Sequence, residues 1–306
     1  MNKKQKWFWV ALVAVFLAAP NAMFMKVAVN GLDPFLVNVA RSSLVAFACT
    51  PFLVIAFPRL KGAALQAVLA ASAAMTVAAF AFIFALKYST ASYVSALLLL
   101  QPIMLVWYSV RLNKERVSRR ALAGITLAAA GATLIVLLPL AITQNEQFVF
   151  YPMATILCLL NCLLQPLAVI KIKQANEKGG VPLLAITAVM SYIITAANAV
   201  FWLAKGAPIP AHVDGAVVGA IVYGAIINTL IARTLLVKGF EMIGSASISA
   251  LTYFEMLLSV LFPVAFLHEK ISLPMALGWV LILLGVYVVQ HHKSDHHKHH
   301  HLYRLG

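Results

Sequence analysis

Charge is what this chain has least of. Asp, Glu, Lys and Arg together make up 10% of its 306 residues, and only nine are acidic, where a water-soluble domain carries about 25%. With 63% hydrophobic residues and a mean hydropathy of +0.93, a soluble globular domain is excluded and a membrane protein is required. Cysteine is as scarce. Cys49, Cys158 and Cys162 lie in apolar runs with no His or carboxylate at ligand spacing, so they read as packing residues and not as a metal site. The chain has no Gly-Lys-Ser/Thr phosphate loop and no inserted soluble domain, which excludes ATP hydrolysis. His212 and His268 fall in connections and the other histidines in the tail, so no His-Asp pair stands at membrane depth for an intramembrane enzyme.

What is present is a succession of apolar runs of about 20 residues, the length that crosses a roughly 30 Å hydrocarbon core as a helix. Runs and breaks predict ten spans: 7–29, 34–57, 63–86, 90–111, 119–141, 149–171, 181–204, 213–237, 243–267 and 272–290. The first follows Lys3, Lys4 and Lys6 as a signal peptide would. It continues past Pro20 to Val29 without a small-x-small cleavage site, and so reads as a retained helix. The formal charge of +14 does not indicate nucleic acid, because Lys and Arg cluster in short connections, as topology signals do. With the N-terminus inside, outside segments collect only Lys26, Lys87, Lys205 and Lys270, and the remaining assigned cations fall inside. The positive-inside rule then places both termini in the cytoplasm of a multi-pass inner-membrane protein.

Residues 88–136 are written twice. Shifted by 154 positions they land without a gap on 242–290: Ser95-Ala96-Leu97 on Ser249-Ala250-Leu251, Glu115 on Glu269, Ser118 on Ser272, Gly124 on Gly278, Leu127 on Leu281 and Gly131 on Gly285. The expected organisation is a first repeat over 1–144, a second over 145–290 and a His-rich tail over 291–306. Five spans per repeat reverse the chain, so the second copy is inserted upside down. The basic Glu115 hinge, Arg111 to Arg120, then faces the cytoplasm, and the Glu269 hinge the outside. Two inverted five-helix repeats in an all-α membrane protein are the architecture of alternating access.

The segment from Ala85 to Ser92, the run to Pro102, the Glu115 hinge and the second copy ending in Glu269 resemble the paired EamA domains of the drug/metabolite transporter superfamily. So do Asn21, Lys26, Pro34 and Arg41 across the first two spans. The likeness covers nearly the whole chain. It departs at Ala19-Pro20, where many members carry Trp-Gly before the Asn. The resemblance implies a ten-helix transporter, often an exporter of amino acids or other small metabolites, with spans 1, 3, 4, 6, 8 and 9 around a central cavity.

Ionisable groups at membrane depth are costly, so each invites a function. Glu255 stands about 12 residues, or roughly 18 Å, into span 9, near the midplane. Ser245, Ser249, Thr252, Glu255 and Ser259 follow at helical steps and share one face. Glu255 reads as a substrate-amine contact or a proton carrier, against a structural Glu bonded between helices. Its repeat mate Gln101 is the neutral counterpart. Arg41 meets a substrate carboxylate or pairs with an acidic side chain to fix the fold. Arg233 shares a face with Tyr223, Ile226 and Thr229, and its simplest reading is snorkelling to the headgroups, as for Lys26. Pro20-Asn21 in span 1 and Asn161, Gln165 and Pro166 in span 6 are expected to break the backbone ladder, as kinks or as gates. Tyr93, Trp107, Tyr108, Tyr253 and Phe254 are candidates for an aromatic wall, and the paired glycines for close helix packing. The tail from His291 to His301 could bind Zn or Ni, but a disordered cytoplasmic tail or an artefact explains it more simply.

The reading is a secondary transporter, an exporter or facilitator of small zwitterionic metabolites such as neutral or aromatic amino acids. Its substrate-binding candidates are Glu255, Gln101, Ser249, Thr252, Asn21, Tyr253 and Arg41, with Pro20 and Pro166 as gates. No cofactor or metal is expected. The partners are a small-molecule substrate and the lipid bilayer, with proton coupling and a monomeric or homodimeric state left open. The alternatives are an exchanger of anionic metabolites or phosphorylated sugars, resting on Arg41 and Arg233, and an intramembrane lipid-modifying enzyme.

Overall fold

The structure, a computed structural model, describes residues 3–101, 103, 104, 107, 108, 119–141, 150–236 and 245–302. Among them there is no strand. The helices are α1 (Lys3–Ala18), α2 (Asn21–Gly31), α3 (Pro34–Ala56), α4 (Gly62–Tyr88), α5 (Ala91–Leu98), α6 (Arg119–Ala141), α7 (Pro152–Gly179), α8 (Leu183–Ala204), α9 (Gly215–Val222), α10 (Ser245–Leu267) and α11 (Leu273–Leu302). A π-helical segment, Tyr223–Ala232, continues α9. Six segments are long and apolar enough to cross a bilayer: Gln5–Gly31, Pro34–Arg59, Gly62–Tyr88, Pro152–Asn176, Leu183–Ala204 and Gly215–Leu236. Thr126–Ile135, Phe254–Leu267 and Leu273–Gly285 are shorter apolar stretches. The Glu115 hinge and Pro102 lie outside the described residues.

Turn chemistry sets the helix starts. Asp33 accepts from Phe35 N at 2.9 Å with Pro34 at the first helical position of α3, Thr90 accepts from Tyr93 N before α5, and Asp214 accepts from Ala216 N before α9. Each satisfies a donor that a helix start leaves without an intrahelical partner. At the end of α7, Gly180 takes φ +59°, its N–H reaches Asn176 O, and its carbonyl accepts from Arg59.

The most extensive helix pairings are α6 with α11, α4 with α7, and α3 with α8. Each joins a helix before residue 145 to one after it. The glycines explain the first. A Cβ on Gly131 would stand 2.6 Å from Gly278 O, one on Gly278 2.5 Å from Gly131 O, and one on Gly285 2.5 Å from Gly124 O. The contacts run antiparallel, and the 154-residue shift turns one into the other, carrying 131 to 285 and 124 to 278. Backbones this close require small residues. Gly278→Leu is therefore expected to cost about 1–3 kcal/mol or more through overpacking, read as a lowered melting temperature and loss of the monodisperse peak in detergent.

Helix α3 is joined to α8 by polar contacts that sequence reading did not single out. Asn38 Nδ2 donates to Asn198 Oδ1 at 3.1 Å, Ser42 Oγ lies 2.8 Å from Thr195 Oγ1, and Thr50 Oγ1 lies 2.7 Å from Tyr192 OH. Such bonds contribute about 0.6 kcal/mol each within a bilayer. The signal was present: Asn38 and Ser42 are one turn apart in the second span, and Tyr192, Thr195 and Asn198 step by three in the seventh.

The largest buried cluster gathers at one end of the bundle. It draws Met25 and Val29 from α2, Leu32 just after it, Ile83 and Leu86 from α4, Ala91, Tyr93, Val94, Ala96 and Leu97 from α5, Cys158 and Cys162 from α7, and Val217 and Ile221 from α9. This end also holds the connection containing Glu269. At the C-terminus the backbone of α11 is helical to Leu302. Between Gly285 and Gly306 no Gly or Pro interrupts the chain.

Candidate functional site

Helix breaks organise the polar residues at membrane depth. The first span separates into α1 and α2 at Ala19-Pro20, as the sequence led us to expect, because Pro20 has no N–H to continue the ladder. Tyr223 OH donates to Leu17 O just before this break, and the Tyr223 ring stacks on Phe24 at 3.9 Å between centroids. Asn21, the first residue of α2, accepts through Oδ1 from Asn228 Nδ2 at 3.0 Å. Asn228 Oδ1 is buried without a hydrogen-bond partner among the described residues.

The π segment sets this arrangement. Its wider turn shows in Thr229 Oγ1, which donates to Gly224 O five residues earlier. π insertions recur at functional sites because they shift side chains off the α-helical register. The face expected to carry Tyr223, Ile226, Thr229 and Arg233 is therefore not an α-helical stripe.

Arg41 lies beside this segment. A Cβ at Gly224 would stand 3.2 Å from Arg41 Cδ and 2.5 Å from Met25 Cε, so both side chains pack against the π segment at this position. Arg41 is partly buried and has no hydrogen bond or ion pair among the described residues. Of its two expected roles, the structural pairing with an acidic side chain is not formed there. Met25 is one turn, about 6 Å, from Asn21, which sets Arg41 and the Asn21–Asn228 pair on adjoining turns.

Glu255 pairs with Arg233, Oε1 to Nη2 at 3.3 Å, with side-chain exposures of 16% and 52%. Both are close enough to the Tyr223 phenol to interact with it electrostatically. This replaces the snorkelling expected of Arg233, since a carboxylate within reach offers it a stronger partner than solvent. The side chains of Ser249, Thr252 and Tyr253 lie outside the described residues, as does that of Ser245.

Gln101 follows a second break, which sequence reading missed. Helix α5 ends at Leu98 in a turn at Leu99-Leu100, where a proline at position 102 offers no N–H to the carbonyl of Leu98. Gln101 Nε2 donates to Asn161 Oδ1 at 2.7 Å and Gln165 Oε1 at 2.8 Å, and Asn161 Nδ2 donates to Ala78 O at 2.7 Å. Gln101 thus bonds between helices. Unlike Pro20, Pro166 does not break its span: α7 runs through it. The polar residues around it tie α7 to α4 and to the chain after α5.

Two further expectations change. Lys26 does not snorkel but donates to Leu86 O and Ser89 O, each at 2.7 Å, at the end of α4. Of the expected aromatic wall, Trp107 and Tyr108 touch. Tyr93 packs on Tyr151 and Phe254 on Phe16, so the described rings form separate contacts. Tyr151 precedes α7 outside the span; burial, and then the Glu269 carboxylate, pushes its phenol pKa up. Among the described residues no group of His, Cys, Asp and Glu could hold a metal.

A search of curated proteins finds no match. Among solved structures, one crystal structure superposes with a TM-score of 0.61. It covers 93% of this chain and 96% of that one at 17% identity, a likeness of fold. The model of the EamA-like transporter family matches residues 5–137 and again 152–290. The chain therefore belongs to the EamA-like transporter family: it is a multi-pass membrane transporter of small solutes built from two related halves.

Proposed function

We propose that the chain moves small zwitterionic metabolites, such as neutral or aromatic amino acids, across the inner membrane by alternating access of two inverted repeats, with both termini cytoplasmic. The observation that carries this reading is the set of opposite charges around the broken first span. Arg41 lacks a counter-charge among the described residues, and Glu255 is held by Arg233. The start of α2 at Asn21 presents the positive end of a half-helix, a recurrent receptor for substrate carboxylates. In this scheme Arg41 and the α2 start receive the carboxylate. Glu255 receives the ammonium as it leaves Arg233, and the Asn228 Oδ1 acceptor serves the same group. A zwitterion brings both charges, so the net charge of the site is unchanged and the unpaired cation passes from Arg41 to the half-exposed Arg233.

A second reading, exchange of anionic metabolites, draws on the same unpaired Arg41, with Arg233 as its partner. It would leave Glu255 without a counter-charge at membrane depth, which favours the first.

Ligand stabilisation separates the two. A ligand at 100 times its Kd stabilises the folded state by about 2.7 kcal/mol. The purified protein should gain several degrees in melting temperature with a neutral or aromatic amino acid and none with sugar phosphates. The opposite result would move the assignment to anions.

A further inference from the structure

The buried end of the bundle is closed by ionised side chains bonded to helix termini. Glu269, in the connection between α10 and α11, accepts from Ala91 N through Oε1 at 2.8 Å and from Ser92 N through Oε2 at 2.7 Å. Its two oxygens take two of the amides that the start of α5 leaves without intrahelical partners, where the helix dipole favours an anion. Lys26 Nζ bonds Leu86 O and Ser89 O at the end of α4, and Lys87 Nζ bonds Val29 O near the end of α2 at 3.0 Å. Cations at helix ends and an anion at a helix start are the favourable arrangement for both signs.

These contacts differ in what they join. The Lys26 and Lys87 bonds lie within the first family-matched half, residues 5–137, whereas the Glu269 bonds link the second half, 152–290, to the first. Behind Glu269 lies the buried core of this end, with Val94, Leu97 and Cys158 at 0–1% exposure. Any opening here must separate the halves and so break the Glu269 bonds. The acceptor is a single side chain and the donors are backbone amides, so no substitution at 91 or 92 other than proline removes the donors. Control of the contact rests in Glu269.

We propose that Glu269 is a positioning residue for transport, the latch that holds this end of the bundle shut between openings. This rests on the alternating-access part of the functional reading, not on the identity of the substrate. The carboxylate stabilises the closed arrangement through two charge-assisted bonds that exist only while the halves are together. Glu269→Gln keeps the size and one acceptor oxygen but removes the charge and the second acceptor.

The test uses the native thiol of Cys158 as reporter, in purified full-length protein with Cys49→Ala and Cys162→Ala. Its reaction with a charged maleimide requires this end to open. With Glu269→Gln the labelling rate is expected to rise about tenfold, the population shift that losing one charge-assisted bond produces. An unchanged rate in a monodisperse variant would overturn the proposal. A second variant covers the case in which Glu269→Gln does not fold. In Glu269→Asp the carboxylate keeps its charge but is one methylene short of the two amides, so labelling followed at Cys158 by mass spectrometry should exceed the parent rate. Labelling of Glu269→Asp at the parent rate would overturn the latch equally. Neither readout uses a substrate, so failure to transport amino acids would leave the latch standing, and failure of the latch would leave the substrate assignment standing.

Discussion

Glu255→Gln is expected to reduce transport by a factor on the order of 100 while the protein still purifies as a folded, monodisperse species. Glu255 and Arg233 form an ion pair at 3.3 Å. The Arg is half exposed, so its pairing contributes little to stability, about 1 kcal/mol or less, and its loss is not a folding defect. What the substitution removes is the anion to which a substrate ammonium would transfer, a desolvated charge contact of the kind whose deletion costs about 2–5 kcal/mol in binding. Arg233→Met should lower transport less, because Glu255 keeps its charge for the substrate. The double variant should match Glu255→Gln alone, since the two act on one contact. If Glu255 also carries a proton, the response of transport to a pH gradient disappears in Glu255→Gln. A gradient response that persists assigns the proton elsewhere. Parent-level transport by Glu255→Gln would remove Glu255 from the site.

The second large effect is expected at Arg41. Arg41→Met should abolish uptake and leave the melting temperature within a few degrees of the parent or raise it, because no described ion pair or hydrogen bond is lost and a cation at membrane depth is replaced by an apolar chain of similar length. Lys should not restore activity: a compact ammonium cannot hold a carboxylate in the two-point fashion of a guanidinium. Measurement of uptake and melting temperature on one preparation separates this from a structural role. A strong fall in stability together with activity would identify Arg41 as a fold determinant instead.

The parts of this molecule legible in the sequence are those that repeat or that bear charge in an apolar run. The 154-residue shift brought Gly124, Gly131, Gly278 and Gly285 to attention, and they meet backbone to backbone where α6 crosses α11. Pro20 announced the break between α1 and α2 because its missing N–H acts locally. Glu255 was conspicuous by its charge. Arg233 was noticed too, but not as its partner, because the register of Tyr223–Ala232 is π-helical, and a helical wheel drawn at 3.6 residues per turn misplaces every side chain beyond it. Asn228 was missed for the same reason. Pro166 shows the limit of a local rule: α7 is continuous across it, beside interhelical bonds of Asn161 and Gln165 whose partners lie about 60 to 80 residues away. Glu269 was recognised as a repeat mate of Glu115 but not as a cap on α5, a helix start 178 residues earlier in the chain.

Counterflow into proteoliposomes is the most direct test of the central claim. Vesicles holding the purified protein would be loaded with unlabelled amino acids or with unlabelled anionic metabolites, and the entry of labelled members of each pool followed with and without a pH gradient. Transient accumulation of a neutral or aromatic amino acid, lost in Glu255→Gln and in Arg41→Met, is the result expected of a zwitterion transporter. Accumulation confined to the anionic pool, and unaffected by Glu255→Gln, would contradict it.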